Sequence, residues 1–168
     1  EPLVPPIKGA DDKSVLSAWE VLKNDPPLGR EVAVIGGGAV GLETALFIAD
    51  KGTLTPEVLH FLFAYEAENV DRLRELMFHG ISRVTVFEMM PEAGGDVGRS
   101  TRWVLFDNLK RHGIRILTNA KVLSITNGEV RFKENGHEAS RQFDHVILSS
   151  GARSVNTLRK ALKHLEIP

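Results

Sequence analysis

Gly36, Gly38 and Gly41 stand in the spacing GxGxxG, and backbone bare of side chains at those points can lie against two linked phosphates. Gly36 permits a tight turn, Gly38 leaves room for the pyrophosphate, and Gly41 lets a helix pack closely on the strand before it. Gly37, Ala39 and Val40 fill the intervening places, so the amides of this stretch are the candidate phosphate ligands, backed by the positive end of a helix macrodipole. Glu43, two residues past the third glycine, reads on position alone as a helix-start acid favoured by the dipole. No Gly-Lys-Ser/Thr follows the glycines, which disfavours a nucleoside triphosphate loop.

A dinucleotide site of this kind also uses an acid at the end of a second strand, whose carboxylate accepts hydrogen bonds from the adenosine ribose. Glu88 closes the run Arg83-Val-Thr-Val-Phe and fits that role, with Met89 beside it. Glu66 and Glu68 lie nearer the usual spacing, but in a helical context where a solvated charge is the simpler explanation. A carboxylate about 4 Å from a 2′-phosphate is repelled by roughly 4 kcal/mol per unit charge at an effective dielectric near 20. NADH is therefore expected over NADPH unless Arg99 or Arg102 compensates. Gly151, just beyond His145-Val-Ile-Leu-Ser-Ser, is expected nearest the nicotinamide, because backbone passes close to the cofactor at the carboxyl end of a parallel strand. The plain alternative is a turn glycine.

Other chemistries find little support. Ser149 and Ser150 have no adjacent base and no GxSxG elbow. The histidines, His60, His79, His112, His137, His145 and His164, show no metal-ligand spacing, and no metal site is expected. Cysteine is absent, which excludes disulfides, a redox-active thiol pair and a cysteine-held cluster from this chain. No catalytic residue is expected here: a hydride needs an acceptor held about 3–3.5 Å away, so the chain alone should turn nothing over.

The elements that must position these groups can be placed by pattern. Glu31-Val-Ala-Val-Ile35 predicts a strand buried on both faces, and Val40, Thr44, Phe47 and Ile48 predict the inner stripe of a helix that stops at Lys51-Gly52. Before them, residues 1–29 are proline-rich around one helical pattern, Ser14 to Leu22, with Ser14 as its N-cap and Val15, Leu16, Trp19 and Leu22 packed on the sheet. Residues 53–80 predict an inserted helical pair: Thr55 and Pro56 start one helix, and Val70, Leu73, Leu76 and Met77 mark the other, ending at Gly80. Their apolar stripes predict ordinary packing against the domain.

Gly94-Gly-Asp-Val-Gly98 predicts a loop, and Arg99 to Arg111 a helix burying Trp103, Val104, Phe106 and Leu109 before Gly113. A third parallel strand follows at Ile114–Leu117. Three further strands, over residues 121–126, 129–133 and 140–143, are joined at Asn127-Gly128 and Asn135-Gly136, a hairpin signal because both central residues need positive φ. His145 to Leu148 returns to the parallel sheet, and a closing helix is expected over 155–166. The fold class is α/β: a Rossmann-like parallel sheet with helices on both faces, a β-meander and a helical insertion.

At 168 residues the chain has room for one α/β domain, burying roughly 70% of its unfolded surface. With 21 basic and 22 acidic side chains there is no net field to argue for nucleic acid or an anionic membrane. No apolar run reaches about 18 residues and no signal peptide is visible, so a cytoplasmic protein is expected.

Glycine turn, helical insertion, meander and the final Ser-Ser-Gly151-Ala-Arg153 together resemble the NAD(P)H-binding domain of two-dinucleotide flavoprotein reductases. Within these, the chain resembles old-yellow-enzyme-like NADH:flavin oxidoreductases of the group that includes 2,4-dienoyl-CoA reductase, which carry a helical insertion and a loop like Gly98-Arg-Ser-Thr-Arg-Trp103. The resemblance implies a modular parent with an FMN barrel, an iron–sulfur cluster and an FAD domain. Residues 1–29 would then arrive from that FAD domain, residues 30–154 form the NAD(P)H-binding domain, and residues 155–168 return. The resemblance implies that NAD(P)H binds here, with Glu43 facing its nicotinamide end as the similar Glu does in related reductases, while FAD, FMN and cluster belong to the parent. Two other readings stay open: an FAD-binding domain of the same fold, and a non-enzymatic nucleotide-sensing or docking module that uses residues 53–80.

Overall fold

The computed structural model describes residues 1–162. Five parallel strands form the central sheet, in the order β1 (Val15–Ser17), β8 (His145–Leu148), β2 (Glu31–Ile35), β3 (Arg83–Phe87), β4 (Arg115–Leu117). The pleat sends alternate side chains to opposite faces. Val32, Val34, Val84, Val86 and Ile147 meet the helices α1 (Ala18–Asn24), α2 (Ala39–Asp50) and α5 (Arg99–Arg111). On the other face Ala33, Ile35, Phe87, Val146 and Leu148 pack against a second sheet, β5 (Ala120–Thr126), β6 (Glu129–Glu134) and β7 (His137–Gln142). The expected meander thus covers the face of the parallel sheet away from these helices.

The meander is held where it matters for β3. Phe87 lies edge-on to Phe132 at 4.8 Å and to Phe143 at 5.8 Å, and both Phe87 and Phe132 are fully buried. Burial of each such ring contributes about 1.5–3 kcal/mol, and each edge-on pair roughly 0.5–1.5 more. Because Phe87 is the last residue of β3, this packing fixes the residue after it, Glu88. Asn127, Gly128, Asn135 and Gly136 all have positive φ, as the two hairpin turns require. The third meander strand begins at His137, three residues earlier than its pattern suggested, since its edge position leaves it without a buried face to read.

The proline-rich opening is woven into this framework. Residues 15–17 pair with β8, so the first helix starts only at Ala18, and Ser17, not Ser14, accepts from the Glu20 amide as its cap. Trp19 and Leu22 consequently face outward, 49% and 43% exposed, while Ala18 and Val21 are buried instead. Asp12 ties the segment to the meander by accepting from the Ser14 amide and hydroxyl and from the Asn127 amide. The Ser14 hydrogen bonds first, then that of Asn127, hold its carboxyl below the ordinary carboxylate range.

The insertion forms α3 (Pro56–Ala64) and α4 (Val70–Leu76). Thr55 accepts from the Val58 amide, and Asn69 from the Arg72 amide. Close packing against the domain does not extend to α3, which has no buried residue and leaves Phe61, Phe63 and Tyr65 exposed; Leu73 is the one buried residue of α4. With so little tertiary support the caps carry weight. Thr55→Ala is expected to cost about 1 kcal/mol of stability, read as a fall in chemical-denaturation midpoint with unchanged slope.

On α2 the inner stripe is Leu42, Thr44, Ala45, Ile48 and Ala49, with Val40 and Phe47 on the solvent side. On α5 it is Leu109 with partly buried Leu105 and Phe106, whereas Trp103, 71% exposed, and Val104 point away from the core. The closing helix begins as α6 (Thr157–Leu162); its expected continuation to 166, and His164, lie outside the described residues.

Candidate dinucleotide-binding site

The groove lies at the carboxyl edge of the parallel sheet, where β2 has β3 on one side and the late-arriving β8 on the other. Such a reversal of strand order opens a crevice between the two connections. Its volume is about 640 Å³, and its lining includes Gly36, Gly38, Val40, Gly41, Glu88, Met89 and Gly151. Sequence positions as far apart as 36 and 151 are brought together because Ile35 and Leu148 are register partners.

No side chain fits at the heart of the turn. Gly36 has φ +111°, and a Cβ there would stand 2.3 Å from the Ser149 carbonyl oxygen. A Cβ on Gly41 would stand 1.9 Å from the Gly36 carbonyl oxygen. The glycines therefore do what a phosphate cradle needs: α2 comes down on the strand, and its first turn opens onto the groove. Gly38 is the helix cap and supplies no side chain of its own to the free amides. The fit to a pyrophosphate rests on this bare backbone.

Glu88, half-buried, sits one residue past β3 and points into the site. Its Oε2 accepts from the Gly37 amide at 2.7 Å, and its Oε1 from the Met90 amide at 2.7 Å. Each carboxylate oxygen has two acceptor directions, so one on each remains for ribose hydroxyls. Glu66, at positive φ, and Glu68 lie in the exposed connection between α3 and α4, away from the groove.

The other expected site residues are distributed less simply. Gly37 lines an adjoining hollow with Glu88 and Asp96. The Ala39 amide donates to Asp96 Oδ1 at 2.9 Å. Glu43 is exposed on α2, past its first turn, and is not part of the groove wall. Arg99 is exposed at the start of α5. Arg102 turns back to donate to the Ala93 and Gly94 carbonyls at 2.9 and 2.8 Å and lies over the Phe106 ring. Its guanidinium is thus committed to holding the loop that faces Gly37.

Among the contributions to the groove that pattern alone missed are the Pro5–Ile7 wall, Lys121 of β5, and Asp96. The Gly94–Gly98 loop was visible as a glycine cluster, but nothing near Asp96 in sequence marks its contact with residue 39. Ser149 and Ser150 also line the groove, each with a hydroxyl oxygen buried and without a hydrogen-bond partner. Among the described residues there is no cluster of acids and histidines able to hold a metal ion, and no helix long and apolar enough to cross a membrane.

A family model described as pyridine nucleotide-disulphide oxidoreductase matches residues 1–167. A metal reductase of Desulforamulus reducens is 41% identical over 162 residues, covering 96% of this chain and 24% of that protein. A bilirubin reductase of Mediterraneibacter gnavus is 32% identical over 152 residues, covering 90% of this chain and 19% of the relative. The chain thus spans about a quarter or less of the length of these relatives. Among solved structures, a 2-naphthoyl-CoA reductase complex superposes with a TM-score of 0.72 at 21% identity, over 96% of this chain and 20% of that one, a likeness of fold.

Proposed function

The chain belongs to the pyridine nucleotide-disulphide oxidoreductase family, and from that premise we propose that it is the nicotinamide-dinucleotide-binding domain of a flavin oxidoreductase, with NADH as its preferred ligand. The observation that carries this reading is Glu88 and the glycine turn facing one groove, with Gly37 bonded to Glu88 itself. The Gly38, Ala39, Val40 and Gly41 amides would hold the dinucleotide's pyrophosphate, Glu88 its adenosine ribose, and Gly151 would stand toward its nicotinamide.

Bound there, a reduced dinucleotide supplies a hydride to a flavin held by another part of a parent protein. This chain's residues bind and orient it. The parent we favour is an old-yellow-enzyme-like reductase of the dienoyl-CoA group, cytoplasmic, with its FAD, FMN and iron–sulfur cluster outside these residues. We read residues 1–29 as arriving from the FAD domain and adding β1 and α1 to this sheet on the way, and residues 155–168 as returning to it. A docking role for residues 53–80 is the second reading, favoured by the exposed Phe61, Phe63 and Tyr65.

Glu88 disfavours a 2′-phosphate by charge, and Arg102 is occupied elsewhere. Titration of the chain by calorimetry should show saturable NADH binding, NADPH at least tenfold weaker, and no saturation by FAD. Equal affinity for NADH and NADPH would overturn the preference, and saturation by FAD alone would overturn the ligand.

A further inference from the structure

We propose that Asp96 is the gate of the phosphate cradle: its carboxylate holds the Ala39 N–H while the cradle is empty, must leave when a pyrophosphate arrives, and so sets the affinity for the nucleotide. This rests on the dinucleotide reading above and adds to it a competing anion supplied by the chain itself. The contact is direct, Ala39 N–H to Asp96 Oδ1 at 2.9 Å, at the N-terminus of the twelve-residue helix α2. Asp96 Oδ2 faces Gly38, 3.1 Å from where a Cβ would stand there. Both carboxylate oxygens thus occupy the ground that the glycine spacing keeps free for phosphate. Two anions cannot share one N–H, and both are drawn there by the same helix dipole.

The loop is built to let Asp96 go. Its base is clamped: Arg102 holds the Ala93 and Gly94 carbonyls, and the Gly94 amide donates to the Gly37 carbonyl at 2.7 Å. Val97, on the far side, packs against the core of α2 and α5. Between these anchors Asp96 is exposed, and a Cβ on Gly95 would meet nothing within 4 Å. Rotation of Asp96 about its side-chain bonds and the Gly95 backbone frees the amide without disturbing either anchor. Glu88 is different, since its bonds to Gly37 and Met90 leave acceptor directions for the sugar and need not break.

The 168-residue chain, with Asp96→Asn and Asp96→Ala, separates the possibilities when titrated with NADH and with adenosine, which lacks phosphates. Exchange of one charge-assisted hydrogen bond corresponds to roughly a tenfold change in affinity. Asp96→Ala should bind NADH about tenfold more tightly than wild type, Asp96→Asn should fall between, and adenosine should be unaffected by either. Unliganded Asp96→Ala should melt a few degrees lower for want of the helix cap, about as other cap removals do. Unchanged or weaker NADH binding in Asp96→Ala overturns the gate, as does an equal gain for adenosine, which would mean a general loosening of the loop. Failure of all three proteins to bind NADH would instead overturn the dinucleotide reading and remove the gate's ligand with it.

Discussion

Glu88→Ala is expected to weaken NADH binding about a hundredfold and to lower the stability of the empty protein by about 1–2 kcal/mol. The binding loss follows from the ribose: two hydroxyls hydrogen-bonded to a carboxylate lose roughly 3 kcal/mol when it is removed, and each 1.4 kcal/mol is a factor of ten. The stability loss follows from the Gly37 and Met90 amides, both 2.7 Å from the carboxylate, which are left to water. Because the site is half-exposed, rehydration recovers much of that second cost. Glu88→Gln separates charge from shape. It keeps an oxygen for the Gly37 amide and groups for the ribose, but no longer repels a 2′-phosphate, so the preference for NADH over NADPH should narrow. A ratio as large in Glu88→Gln as in wild type would show that the charge does not select the cofactor.

Gly41→Ala should be among the most damaging single methyl additions in the chain. The new Cβ would stand 1.9 Å from the Gly36 carbonyl oxygen and 3.3 Å from the Ser149 hydroxyl. The first of these is backbone and cannot turn aside, so α2 must lift from β2. Alanine is favoured over glycine within a helix by about 1 kcal/mol, which opposes the clash without matching it. A net loss of about 3 kcal/mol is expected, a fall in Tm of roughly 6–12 °C for a domain of this size. NADH affinity should drop with it, because lifting α2 moves the Val40 and Gly41 amides. Gly95→Ala provides the contrast: its Cβ would meet nothing within 4 Å, and stability should change by less than about 0.5 kcal/mol. Similar melting curves for the two variants would contradict the account of the turn.

The parts of this architecture legible in sequence are those decided by neighbours in the chain. A strand ending at Ile35, a turn only glycine can make, and a helix start are fixed by local sterics, and Asn127-Gly128 and Asn135-Gly136 are fixed by their φ angles. Glu88 was legible because it is tied to a strand end, even though residues 53–80 carried it far beyond its usual spacing. What escaped is decided by distant chain. Ser14 to Ser17 have a helical pattern, yet residues 15–17 pair with β8 some 130 positions later; tertiary pairing overrides weak local propensity. Periodicity gave α5 an apolar stripe wider than the core covers, so Trp103 was placed inside when only Leu109 is fully buried. Asp96 reaches residue 39 across 57 positions, and no spacing rule encodes that contact.

The central claim is that the amides behind Ile35 hold a dinucleotide's phosphates while Glu88 holds its sugar. Amide-resolved NMR of the isotope-labelled chain during an NADH titration tests it most directly. The account predicts saturable shifts concentrated at Gly38, Val40, Gly41, Met89 and Gly151, with Ala39 moving as Asp96 leaves it. Shifts that saturate elsewhere while these amides stay still would contradict it.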